Sequence, residues 1–134
     1  MKPARALSDL TRRFEARTVD AAAFRHAEHV RVAYDLLANY AFLDATTLYA
    51  TGIRRLAEMA GAPQKFNMTI TCAFLSLIAE RMARDDGGSC EEFLARNPDL
   101  LSKDLLAHWY APDRLHSEIA RTVFLMPAPA TGVE

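Results

Sequence analysis

The chain has 134 residues, 51% of them apolar and 25% charged, the proportions of one globular domain and not of a disordered chain or a two-domain protein. Sixteen basic residues against seventeen acidic ones leave a formal net charge of −1, which argues against a nucleic-acid partner, because such proteins carry a basic excess.

Residues 1–22 are ambiguous, although Leu7, Leu10 and Phe14 recur at helical spacing and Ser8 or Asp9 can cap a short helix. From about 22 to 40 the helical period is clear. At 100° per residue His26, Val30, Ala33, Leu37 and Tyr40 share one face, with His29 on its edge and Arg31, Asp35 and Asn39 opposite. Asp44 is the expected N-cap of the next helix, with Gly61 just past its end and Pro63 beyond. The inner face of that helix is Ala45, Leu48, Tyr49, Gly52, Leu56, Met59 and Ala60. A buried glycine costs about 1 kcal/mol of helix propensity, so Gly52 is expected to permit a close helix contact.

A third strong helix is predicted over 67–84, with an inner stripe of Asn67, Ile70, Thr71, Phe74, Leu75, Ile78 and Met82. Ser89 with Glu92 forms a capping-box pattern that opens a short helix to about Arg96. Pro98 suits the first position of another, and a further helical stretch covers Leu105, Leu106 and Trp109. Pro112 is expected to break the chain before a last helix from 115 to 121. The apolar run 122–126 then finishes that helix or lies extended, and 127–134 are expected to be a disordered tail. His108, Trp109 and Tyr110 are expected to close the end of the core. No stretch alternates with period two for long enough to build a sheet. The expected architecture is all-α: a compact bundle of three main helices with shorter C-terminal ones, occupying 1–126.

The longest apolar run, Ile70 to Ala79, is broken by Ser76 and is half the ~20 residues a membrane span requires. Residues 1–14 lack the continuous apolar segment of a secretory signal. Two cysteines, Cys72 and Cys90, are too few for a disulfide framework and form no C-x-x-C. The expectation is a cytoplasmic protein with two free thiols, without membrane contact.

Standard chemical motifs are missing: no phosphate-binding or dinucleotide glycine loop, no G-x-S-x-G, no H-E-x-x-H. What remains is Phe24-Arg-His-Ala-Glu-His29. Histidines at i and i+3 on one face can work as an acid–base pair near neutral pH, or pack as neutral, hydrogen-bonded core residues. Asn67 and Thr71 put polar groups in line with an apolar face. They can bind a ligand, or cap the helix and bond back to a carbonyl. Lys65 is an anion contact or a surface charge. Arg121 can clamp a carboxylate, or pair with Asp113 or Glu118.

The strings F-x-H-x-x-H-V, K-F-N-M-T-I-T, N-P-x-L-L and L-x-S-x-x-A-R-x-x-F-x-x-P resemble a widespread family of short bacterial proteins to which no activity is assigned. The resemblance spans roughly residues 14–127. It is carried by Phe24, His26, His29, Lys65, Thr69, Ile70, Thr71, Asn97, Pro98, Ser117, Ala120, Arg121 and Phe124. In similar sequences the positions of Asn67 and Met68 often hold His-Glu, which implies a metal or acid–base site there. This chain departs from that pattern, and an amide or thioether is a poor zinc ligand. No bound metal or other cofactor is expected.

The expected site therefore lies between the first and third strong helices. His26 and His29 are its acid–base candidates, and Asn67, Thr71, Lys65 and Arg121 its candidate contacts for a small molecule. If successive helices run antiparallel, the N-terminal turns of those two helices lie at the same end, where their N–H groups favour an anionic ligand. The alternative is an interaction or accessory protein whose polar core residues are structural.

Overall fold

The computed structural model describes residues 3–129. Helix makes up 65% of the described residues, and none of them is in a strand. Seven α-helices follow one another: α1 (Asp9–Ala16), α2 (His26–Asn39), α3 (Phe42–Met59), α4 (Met68–Ala83), α5 (Cys90–Arg96), α6 (Pro112–Leu115) and α7 (Glu118–Thr122). Short 3-10 turns at Pro63–Lys65, Pro98–Leu101 and Leu105–His108 bridge between them. None of these helices is long and apolar enough to cross a membrane.

The local chemistry explains most boundaries. Ser8 caps α1, its hydroxyl accepting from the Thr11 N–H. Ser89 and Glu92 cap α5 reciprocally. Gly61 follows the end of α3 with φ +72°, a conformation glycine adopts without a Cβ clash. Asp44, however, is not the N-cap of α3. Ala41 occupies that position with extended backbone, and Asp44 lies in the first turn, where its carboxylate complements the helix dipole.

α2 is central: it packs against α1, α3, α4 and α5. A single apolar stripe therefore understates its burial. Val32 and Leu36 are fully buried, and so, at 5% exposure, is Asn39, which the periodicity turns outward. The Asn39 amide oxygen accepts from the Arg5 N–H (2.9 Å), and its NH2 donates to the Asp35 carbonyl (2.7 Å), which ties the N-terminal segment to the end of α2. On α3 the inner face is Ala45, Tyr49, Ile53 and Leu56, whereas Met59 and Ala60 at its end are exposed. Gly52 admits the ring of Phe14 from α1, and a Cβ built there would collide with it.

The C-terminal third departs furthest from the sequence-based boundaries. Pro112 starts α6 instead of breaking the chain, and the break comes at His116–Ser117, where the Ser117 hydroxyl caps α7. Residues after Thr122 run extended across α4. The buried Thr69 hydroxyl donates to the Val123 carbonyl (2.8 Å) and accepts from the Leu125 N–H (3.0 Å). The Tyr110 hydroxyl donates to the Leu125 carbonyl (2.7 Å), and Arg114 to that of Met126 (2.6 Å). Of the aromatic cluster only Tyr110 is buried, while His108 and Trp109 are exposed. Of the expected tail, 127–129 have no regular structure and 130–134 lie outside the described residues, as do Met1 and Lys2. Cys72 and Cys90 are both free thiols.

Candidate functional site

A half-open cavity of about 810 Å³ lies where the N-terminal turns of α2 and α4 meet the C-terminal half of α3. That meeting is the relation expected when α3 runs antiparallel to both. The walls are mainly apolar: Phe24, Val30, Ile53, Leu56, Ile70, Phe74, Ile78 and Leu106 line it. His26, His29, Asn67, Thr71 and Lys65 line the same cavity. Five of the six residues singled out in the sequence thus share one space.

Arg121 is the exception and does not line the cavity. On α7 its guanidinium turns to the Glu118 carboxylate one turn earlier (3.2 Å), the local pairing weighed against a clamp. Its Nε is buried without a hydrogen-bond partner.

The polar residues at the start of α4 are structurally occupied. The Asn67 side-chain oxygen caps the helix by accepting from the Ile70 N–H (2.9 Å), and its NH2 donates to the Leu115 carbonyl (2.9 Å). The Thr71 hydroxyl donates to the Asn67 carbonyl (2.8 Å). Asn67 thereby joins α4 to α6, and little of its amide is left to orient a ligand.

The histidines differ. His26 opens α2, and its Nε2 lies 2.9 Å from the Leu100 carbonyl. A carbonyl only accepts, so Nε2 carries the hydrogen of this contact, and Nδ1 is the ring nitrogen left toward the cavity. The turn that presents Leu100 is held by Arg81, which donates to Asn97 (3.0 Å) and Asp99 (2.8 Å). The His26 ring meets Phe74 edge-on, with centroids 4.9 Å apart.

His29 stacks obliquely on Phe24, centroids 4.8 Å apart. Burial, and secondarily the neighbouring His26, pushes its proton affinity down to about 4, against the opposing pull of Glu28 and the Phe24 carbonyl. His29 is therefore neutral at pH 7, with an acceptor nitrogen.

Tyr49 adds a polar group that periodicity assigns simply to the core. It is buried in the cavity wall, burial pushes its phenol up, and its hydroxyl has no hydrogen-bond partner among the described residues. A tyrosine among apolar neighbours carries no sequence signal that separates an idle hydroxyl from a satisfied one. The Leu100 carbonyl is equally silent in the sequence, being a backbone atom.

Among the described residues, no group of three His, Cys, Asp or Glu side chains is placed to hold a metal ion. A scan against protein-family models, a search of curated proteins and a search of solved structures each return no match to this chain.

Proposed function

We propose that this chain is a small-molecule-binding protein whose ligand occupies the cavity between α2, α3 and α4. The observation that carries the reading is the combination of a cavity within the usual 300–1,000 Å³ range of ligand pockets with polar atoms left unused inside it. Those atoms are His26 Nδ1, the acceptor nitrogen of His29 and the Tyr49 hydroxyl. They suit a mainly apolar molecule with a hydrogen-bonding group in its interior part. Among the described residues the one buried side-chain polar atom without a partner is Arg121 Nε, so these cavity groups face the open space, where a ligand can take the place of water.

Acid–base chemistry by His26 and His29 is the second reading, favoured by their adjacency in one cavity. Against it stands the low proton affinity of His29, since a general base works best with a pKa near the working pH. The balanced charge speaks against nucleic acid, and two free thiols suit a cytoplasmic location. The resemblance to short bacterial proteins belongs to the same proposal, through the His26, His29 and Leu100 motifs that meet at this site.

The test is a titration with N-phenyl-1-naphthylamine, a neutral apolar dye with one N–H donor. The protein should bind it with a blue-shifted emission, and Ile70→Trp, which fills the cavity from α4, should weaken binding at least tenfold. Equal binding by a folded Ile70→Trp protein, or no binding by either, overturns the proposal.

A further inference from the structure

The mouth of the cavity has a chemistry of its own. Arg25, Lys65, Lys103, Asp104 and His116 line the cavity and are exposed. They come from the start of α2, the turn before α4, the segment between two 3-10 turns, and the end of α6. Three permanent cations therefore face one carboxylate, and His116 adds positive charge when protonated.

None of the three cations has an ion-pair partner among the described residues. Elsewhere Arg12, Arg13, Arg31, Arg81, Arg84, Arg96 and Arg121 each hold a carboxylate, and the other arginines without one among the described residues, Arg5, Arg17, Arg54, Arg55 and Arg114, do not line the cavity. In a chain with one more acid than base, the mouth is thus locally positive over an apolar interior. Low-dielectric walls beneath such a rim strengthen its field toward an approaching anion.

We infer that the ligand is an amphiphilic organic anion: an apolar body lodged between α2, α3 and α4, with a single acidic head held at the mouth by Arg25, Lys65 and Lys103. This rests on the reading of the cavity as a ligand site and specifies its ligand class. It relocates the anion from the first-turn N–H groups of the two helices, where the sequence puts it, to side chains at the rim. The protein itself already takes one N–H at each helix start, Asn67 accepting from the Ile70 N–H of α4 and Glu28 from the N-cap Arg25 N–H of α2, whereas the rim cations have no carboxylate partner among the described residues.

Two dyes with the same anilinonaphthalene body separate the two levels of the argument. 8-Anilinonaphthalene-1-sulfonate carries an anionic head, and N-phenyl-1-naphthylamine lacks it. At low ionic strength the sulfonate should bind about tenfold more tightly, with an advantage that shrinks as salt screens the rim. In a Lys65→Glu/Lys103→Glu protein that advantage should vanish while affinity for the neutral dye stays within about twofold. Displacement of the neutral dye by 1-naphthoate and by 1-naphthyl phosphate then tells a carboxylate from a phosphate head. Equal affinities for the two dyes, or a sulfonate advantage that survives the double charge reversal, overturn the anion inference and leave the cavity reading intact. Neutral-dye binding unaffected by Ile70→Trp overturns the cavity reading itself.

Discussion

The N-terminal turns of α2 and α4 face the same cavity, and each carries polar side chains on an apolar face, yet they are spent differently. At the start of α4 the Asn67 and Thr71 side chains close on backbone groups of Ile70, Leu115 and Asn67 itself. At the start of α2 each histidine keeps one ring nitrogen uncommitted: His26 commits Nε2 to the Leu100 carbonyl, and His29 sits neutral against Phe24 with one ring nitrogen toward the Phe24 carbonyl. Burial of a polar group therefore does not mark a binding site. What marks it is the hydrogen-bonding capacity left over once the protein's own partners have been counted.

The largest expected effect breaks the α4 side of this comparison. Asn67→Ala removes a helix cap and strands the Leu115 carbonyl, so it should destabilise the fold by about 2–4 kcal/mol in denaturant unfolding. A loss below ~1 kcal/mol would show that Asn67 is not the tie between α4 and α6.

On the α2 side the expected effect is pH dependence. The unfolded chain binds a proton at His29 near 6.5, the folded chain only near 4. Between those values the unfolded state holds more protons, so stability falls as pH drops from 6.5 to 4 and is flat above 6.5 with respect to this group. The loss across that window is about 3 kcal/mol at most. His29→Leu should flatten this part of the profile, and an unchanged slope in that variant would assign it to other groups.

Two threonines on α4 give the smaller effects. Thr69→Val breaks the hydroxyl bridge to Val123 and Leu125 and should cost about 1–2 kcal/mol. Thr71→Val should cost less than about 1 kcal/mol, because the Asn67 carbonyl keeps its bond from the Thr71 N–H (3.0 Å). Reversal of that order in unfolding experiments would contradict the assigned partners.

The all-helical fold was legible from periodicity and capping: Ser8, Ser89–Glu92 and Gly61 mark true boundaries because each acts on backbone groups a few residues away. Legibility failed where the deciding contact is distant in sequence. Asn39 is buried because residues 4 and 5 fold back on it, and the chain after Thr122 is extended because Thr69 holds it. The site shows the same division. Helical spacing turns His26, His29, Asn67 and Thr71 toward the cavity, and Lys65 joins them from the turn before α4. The same spacing shows the i,i+3 pairing of Arg121 with Glu118 but is blind to the Leu115 carbonyl that occupies Asn67.

Long-range ¹H–¹⁵N NMR of the imidazole rings tests the unused capacity most directly, in titrations of pH and of N-phenyl-1-naphthylamine. The account predicts that His29 stays neutral down to about pH 4, and that the dye shifts the His29 and His26 Nδ1 resonances while the Asn67 side-chain amide barely moves. A His29 ring that titrates near 6.5, with both histidines indifferent to bound dye, would contradict it.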